Sequence, residues 1–292
     1  MSKGEPLPAL DRTLYVVATP IGNLRDIGLR ALDVLAQADI IAAEDTRVTA
    51  GLLAHHGIRA RLVSLHEHNE RRRAATIIEW LASGKRVALV TDAGTPGISD
   101  PGAALVSAVS SAGYAIVPVP GPSAVTTALS AAGVAAPQWL FLGFLPAASG
   151  ARRALLESVR RLPYALVFYE APHRIAATVE ALASLLDAQR EIVIARELTK
   201  RFETVHRCAV ADAPAWLAAD ADRSRGEFVL IVGAPGNAPA EDQEAHDGLL
   251  LPLLAELPLA QAVRIAVAQS GAARNSLYRR ALVLQKTVKA RS

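Results

Sequence analysis

Short apolar runs alternate with longer amphipathic stretches along the first 120 residues. Runs of β type fall at 14–18, 40–43, 62–65, 87–90 and 115–119, and helix-period segments at 26–37, 69–83 and 101–112 lie between them. Alternation of this kind predicts βα units and a mainly parallel sheet. The punctuation agrees: Asp26 is placed to cap the run carrying Leu29, Leu32 and Leu35, and Gly84 to close the helix presenting Ile77, Ile78 and Leu81.

A second set of strands, near 139–143, 164–169, 191–195, 204–210 and 227–232, comes more often in direct succession, with helices near 151–161 and 172–186. Strands that follow one another directly pair as hairpins, so a mixed sheet is expected. Residues 233–248 have linker composition, with Pro235, Gly236, Pro239, Glu241, Asp242, Glu244 and Asp247. Beyond them two or three short helices are expected. The clearest, 259–269 and 275–285, are joined through Ser270-Gly271-Ala272-Ala273-Arg274-Asn275 in the manner of a helix-turn-helix pair. The expected organisation is an N-terminal α/β domain over 12–122, a second α/β domain over 123–235, a linker over 236–248 and a helical domain over 249–292.

Composition narrows the class. With 51% hydrophobic and 20% charged residues in 292, the chain can bury a substantial core and is not disordered over most of its length. A lone cysteine, Cys208, excludes an internal disulfide framework, fits a reducing compartment and reads as a small core residue. The opening residues carry Lys3, Glu5 and Asp11 and lack the apolar centre of a secretory signal. The charge-free run 101–151 is interrupted by Pro118, Pro120, Pro122 and Pro137, so it reads as sheet core and no membrane span is expected. A cytoplasmic location follows as the expectation.

Charge is unevenly placed. Residues 257–292 hold seven basic side chains and no acidic one, leaving 24 basic residues against all 28 acidic ones elsewhere. A cationic tail on an otherwise slightly acidic chain points to an anionic partner, although a solvated helix face would look the same.

The candidate chemistry lies after the strands. Each of the five N-terminal strand candidates is followed by a polar or Gly/Pro-rich stretch: Thr19-Pro20-Ile21-Gly22-Asn23, Glu44-Asp45-Thr46-Arg47, His66-Glu67-His68-Asn69-Glu70, the segment from Thr91 to Gly102, and Pro118-Val119-Pro120-Gly121-Pro122-Ser123. In a parallel sheet all five open on one edge, where ligands bind, so a single cleft formed by five strand tips is expected. Gly94, Pro96, Gly97, Pro101 and Gly102 give the fourth stretch an unusual backbone that a ligand can approach closely. Ser123 is placed either to cap the helix that follows or to meet a ligand. Neither a dinucleotide-binding glycine fingerprint nor a P-loop is present. His66 and His68 flank Glu67 without a third metal ligand at recognisable spacing, so no metal is expected. His173 reads as a buried hydrogen-bonded group or a ligand contact.

Nine motifs in order carry a resemblance: Thr19-Pro20-Ile21-Gly22-Asn23-Leu24, Ala43-Glu44-Asp45-Thr46-Arg47, His66-Glu67-His68-Asn69-Glu70, Asp92-Ala93-Gly94-Thr95-Pro96, Ser99-Asp100-Pro101-Gly102, Pro120-Gly121-Pro122-Ser123-Ala124, Phe141-Leu142-Gly143-Phe144-Leu145-Pro146, Phe168-Tyr169-Glu170-Ala171-Pro172-His173-Arg174 and Arg196-Glu197-Leu198-Thr199-Lys200. Together they resemble the ribosomal RNA small subunit methyltransferase I family of the tetrapyrrole-methylase superfamily. The resemblance covers about residues 12–235 strongly and the C-terminal helices more loosely.

That resemblance implies two α/β domains with an S-adenosylmethionine cleft between them, a homodimer, and 2′-O-methylation of a cytidine ribose in the decoding region of 16S ribosomal RNA, free or within the small subunit. It places cofactor contacts on Asp92, Ala93, Gly94, Thr95, Ser123, Ala124, Phe168 and Tyr169, and turns Thr19, Pro20 and Asn23 toward the substrate. Arg47 joins the substrate side, and Arg274, Arg279 and Arg280 of the basic tail would hold phosphates. Asp100, Glu44, Asp45, Glu67, His68 and Glu170 all qualify as the proton acceptor, and the sequence does not choose among them. A tetrapyrrole or other small-molecule methyltransferase, and a non-catalytic RNA-binding assembly factor, are the competing readings.

Overall fold

The computed structural model describes residues 10–66, 69–134, 138–235, 246–272 and 274–289. The chain divides into two compact units, Met1–Ala234 and Pro235–Ser292.

The first unit opens with β1 (Thr13–Val17), α1 (Leu29–Gln37), β2 (Ile40–Ala43), α2 (Thr46–His55), β3 (Arg61–Ser64), α3 (Glu70–Ala82), β4 (Val87–Val90), α4 (Ala103–Ser111) and β5 (Ala115–Val119). The strands form a parallel sheet in the order β3-β2-β4-β1-β5. Its central strands, Ile-Ile-Ala-Ala in β2 and Val-Ala-Leu-Val in β4, are buried throughout because helices cover both faces. Alternate residues sort between two cores. Tyr15, Val17, Ile41, Ala43, Ala88 and Val90 pack under α1 and α2, while Leu14, Ala42, Val87 and Leu89 pack under α3 and α4.

Gly84 closes α3 as expected, with Gly84 and Lys85 N–H donating to the carbonyls of Leu81 and Trp80. Asp26 does not cap α1. It ends a short 3-10 turn, Leu24–Asp26, capped by Asn23, and extended backbone at Ile27 delays the helix until Gly28 serves as its N-cap.

A crossover helix, α5 (Ala124–Ala132), leads to β6 (Trp139–Phe144), α6 (Ser149–Val159), β7 (Ala165–Glu170), α7 (Ile175–Leu185), β8 (Glu191–Arg196), β9 (Thr204–Ala209), α8 (Ala213–Ala218) and β10 (Phe228–Val232). Their sheet, ordered β6-β7-β10-β8-β9, is mixed: β6 and β7 are parallel and every other pair is antiparallel. One face carries Leu166, Phe168, Ile192, Ile194 and Leu230 against α6, α7 and α8, with Cys208 packed at the edge. The other carries Val167, Val193, Ala195, Val229 and Ile231 against Val125, Ala128 and Ala132 of α5. Ile21, just past β1, is buried in that same cluster. The tip of the first sheet is thereby fixed to the face of the second.

The second unit consists of α9 (Asp247–Glu256), α10 (Leu259–Ser270) and α11 (Arg274–Lys289). It has a core of its own, in which Leu250 and Leu254 of α9 meet Ala262, Val263 and Ala266 of α10 and Leu277, Ala281 and Leu284 of α11. Among the described residues no helix is long and apolar enough to cross a membrane.

Candidate active site

A cleft of about 280 Å³ opens where the first sheet's strand tips meet the second sheet, close to the lower end of the ~300–1,000 Å³ typical of small-molecule sites. One wall comes from Ile21 after β1, Ala93, Gly94, Thr95, Ile98 and Asp100 after β4, and Ser123 and Ala124 at the start of α5. Phe144, Tyr169, Leu198, Lys200 and Glu227 contribute to the facing wall. Three tips converge, not five. β4, β1 and β5 are neighbours in the sheet, whereas β2 and β3 stand to one side on the same edge, and no residue of their tips lines the cleft.

Hydrogen bonds stitch the three tips together. Thr19 N–H donates to Gly94 O (2.8 Å) and Gly94 N–H returns the bond to Thr19 O (3.1 Å). The Thr19 hydroxyl donates to Thr91 O (3.0 Å), and the Thr95 hydroxyl to Pro122 O (3.0 Å). The segment beyond Thr95 is anchored from α3: Gly102 and Leu105 N–H both donate to Oε1 of the buried Glu70, at 3.0 and 2.9 Å. Ser99 has a φ of +68°, a conformation costly for a residue with a Cβ, and the turn it makes delivers Asp100 to the cleft. Burial raises the Asp100 carboxyl from 3.8 to about 6, reinforced by the negative charges of Glu44 and Asp92 and opposed by the Thr91 hydroxyl.

Several residues expected at the cofactor are brought together. Ala93, Gly94, Thr95, Ser123, Ala124 and Tyr169 all line the cleft. Ser123 stands at the N-cap of α5 yet makes no side-chain capping bond. Two others are displaced. Phe168 is fully buried in the core under α6 and α7, because alternation along β7 turns its neighbour Tyr169 to the cleft in its place; Glu170, the last residue of the strand, also lines the cleft. Asp92 points away from the lining, and its Oδ1 accepts the Asp45 N–H at 2.9 Å.

On the expected substrate side, Thr19 and Pro20 are buried, and the Thr19 backbone and hydroxyl are engaged by the stitching just described. Asn23 is exposed but spends its side chain on the Arg25 N–H. Arg47 is 90% exposed and pairs with Asp45 at 2.6 Å, while Asp45 also caps α2 through the Arg47 N–H. Of the proton-acceptor candidates, Glu44 accepts from the Thr91 hydroxyl (2.6 Å) and Asp92 N–H (3.3 Å). Glu170 is buried with both oxygens occupied, one by the Thr178 hydroxyl (2.5 Å) and one by Ala171 N–H (2.9 Å). Glu67 and His68 lie outside the described residues. His173 is exposed, not buried. In the second unit Arg274 and Arg279 are exposed, whereas Arg280 grips Asp247 through Nε (2.7 Å) and Nη2 (2.5 Å) and is a structural cation instead of a free phosphate contact.

Sequence reasoning missed the Lys200 wall. Lys200 Nζ sits 2.9 Å from Glu197 and 2.8 Å from Glu227. Positive φ at Glu197 (+50°) and Thr199 (+64°) shapes the loop, and neither residue type announces it. Gly22 is the one available signal: a Cβ there would lie 2.5 Å from Lys200 Cγ, so only glycine lets the two loops close on each other.

The Tetrapyrrole (Corrin/Porphyrin) Methylases family matches residues 13–214, and the RsmI C-terminal HTH domain matches residues 240–285. The chain is 48% identical over 274 residues to the ribosomal RNA small subunit methyltransferase I of Escherichia coli O157:H7, covering 93% of this chain and 95% of that one. It is 50% identical over 277 residues to the protein of the same name from Neisseria meningitidis serogroup A, covering 92% and 93%. Among solved structures, uroporphyrin-III C-methyl transferase from Thermus thermophilus complexed with S-adenyl homocysteine superposes with a TM-score of 0.54 at 16% identity, covering 76% of this chain and 97% of that one. The chain belongs to the ribosomal RNA small subunit methyltransferase I family, and its first unit is a tetrapyrrole methylase fold.

Proposed function

We propose that the protein methylates the ribose 2′-hydroxyl of a cytidine in the decoding region of 16S ribosomal RNA, and that Asp100 takes up the hydroxyl proton. The coarser activity, methylation of ribosomal RNA with S-adenosylmethionine, comes with membership of the family. When bound, the donor supplies a methyl group already activated by a cationic sulfur.

The cleft suits such a group. Ala93, Gly94 and Ala124 leave room against its wall, and apolar side chains such as Ile21 and Leu198 can cover a flat ring. Its lining sets one lysine, Lys200, against Asp100, Glu170 and Glu227, so it is net negative and favours a cation. The three stitched tips hold this wall rigid, which suits a reaction that gains most from aligning two reactants.

The observation carrying the proton assignment is the state of the carboxylates. Both oxygens of Glu170 are engaged by donors, Oε2 of Glu44 accepts two hydrogen bonds, neither Glu44 nor Asp45 lines the cleft, and Asp45 is paired with Arg47. Asp100 lines the cleft, desolvated, with its carboxyl near 6, so at neutral pH it is ionised and more basic than an ordinary aspartate. In this reading the carboxylate would take the hydroxyl proton as the ribose oxygen bonds to the methyl carbon, leaving the donor's sulfur as a neutral thioether with the electrons of the carbon–sulfur bond.

Mapping ribose methylation in 16S RNA from cells with and without the protein tests the proposal. A single cytidine losing its 2′-O-methyl group is expected, and an unchanged map would refute it. The second unit, with its own core, is read as the RNA-holding part through Arg274 and Arg279, in keeping with its match to a helix-turn-helix domain. Deleting residues 249–292 should leave donor affinity intact by calorimetry while RNA methylation falls sharply and wild-type activity declines steeply with salt. Full activity in the truncated protein would remove that role. The homodimer belongs to the same proposal, and sedimentation velocity checks it.

A further inference from the structure

Phe144 is 53% exposed on the lip of the cleft, and isolated exposure of this kind is ordinary. The way the chain aims it is not. β6 pairs with β7 in step from Trp139 opposite Ala165 to Phe141 opposite Val167, then slips so that Phe144 falls opposite Tyr169. One extra residue in β6 therefore reverses the faces beyond the slip. Leu140 and Leu142 pack into the core under α6 and α7, and without the slip Phe144 would follow them there. With it, the ring turns to the cleft, 5.6 Å from the Tyr169 ring.

The bulge also ties Phe144 to the catalytic segment. Gly143 has a φ of +62°, and a Cβ there would come within 3.1 Å of the hydroxyl oxygen of Ser99, the residue before Asp100. Ile98, 40% exposed, stands on the same lip. An aromatic face and an aliphatic side chain thus flank the entrance beside the carboxylate.

A ribose hydroxyl within folded RNA reaches an enclosed cleft only when its nucleotide leaves the stack, and the extruded base then needs a new surface to stack on. We propose that Phe144 is that surface: the base of the substrate nucleotide stacks on its ring while the ribose enters beside Asp100. The inference rests on the RNA ribose reading above. It makes Phe144 a substrate-binding residue and the β6 bulge the device that presents it.

The test compares Phe144→Ala, Phe144→Leu and Phe144→Tyr on unmodified small ribosomal subunits. Phe144→Ala should raise KM for the subunit by about 5–150-fold, the range of a lost base–aromatic stack. Phe144→Leu should recover part of the loss and Phe144→Tyr most of it, with donor affinity by calorimetry within about twofold throughout. A fluorescent cytosine analogue at the target position of a 16S RNA fragment should be quenched by the wild-type protein and not by Phe144→Ala. An unchanged KM overturns the inference. So does an equal loss of donor affinity, which would make the ring part of the donor wall, or a change of oligomeric state in Phe144→Ala, which would make it an interface between chains. Failure of the wild-type protein itself to methylate the subunit would instead defeat the proposed function.

Discussion

Asp100→Asn is expected to slow methyl transfer by about 10²–10⁴-fold, the usual contribution of a positioned general base, while donor affinity falls far less. In the wild-type protein the single-turnover rate should rise with pH through about 6 and level off above it, because only ionised Asp100 accepts a proton. Glu44→Gln should move that limb to lower pH, since it removes one of the negative charges that raise the group. Stability should move the opposite way to activity. A carboxyl raised from 3.8 to about 6 is bound more weakly as an anion in the folded chain than in the unfolded one. Its ionisation therefore lowers stability as pH rises from about 4 through 6, and the penalty persists above. Asp100→Asn should accordingly melt at a higher temperature than wild type at pH 8, with the gap closing below pH 4. A variant that keeps its rate, or a rate flat between pH 5 and 8, would exclude Asp100 as the acceptor.

The parallel sheet was legible because buried strands such as Val87–Val90 are continuously apolar and the segments between them have helical period. The helix α2 was not: Thr46, Val48, Thr49 and Gly51 are weak helix formers, and its first turn reads as a polar loop until Asp45 is seen capping it. The cleft was legible as a property of strand tips in general but not of three particular ones. Strand order decides that, and nothing in β1 to β5 as sequences records that β4, β1 and β5 stand side by side. The expectation that Phe168 and Tyr169 both meet the cofactor has the same root, since a pair of adjacent aromatics on a strand divides between two faces and the sequence does not say which is the cleft. Ser99, Glu197 and Thr199 adopt positive φ although none is glycine or asparagine, so the turns that place Asp100 and Lys200 leave no mark in composition. The Asp247–Arg280 pair joins residues on different helices of a small core, which charge counting along the tail cannot anticipate.

Glu170→Ala should destabilise the protein by about 3–5 kcal/mol, the cost of stripping one partner from a buried charge pair, read as a lower midpoint in urea unfolding. The Glu170 side chain is 0% exposed, and Arg174 Nε lies 3.2 Å from Oε1, too poorly aligned for a hydrogen bond, so their attraction is electrostatic. Arg174 also donates to the Leu145 carbonyl, tying the end of β6 to the start of α7. Losing the carboxylate strands the guanidinium and frees the Ala171-Pro172 turn, which lines the cleft, so donor affinity should weaken as well. Glu170→Gln, which still accepts from Thr178 but carries no charge, should fall between wild type and alanine. Unchanged unfolding in Glu170→Ala would show that the pair does not hold this turn. The two carboxylates are separated by these outcomes: a group whose oxygens are already occupied by donors is missed in stability, and a desolvated one facing open space is missed in rate. Full-length Glu170→Ala assayed at saturating donor, corrected for its folded fraction, should therefore retain a wild-type pH profile, which no Asp100 variant can.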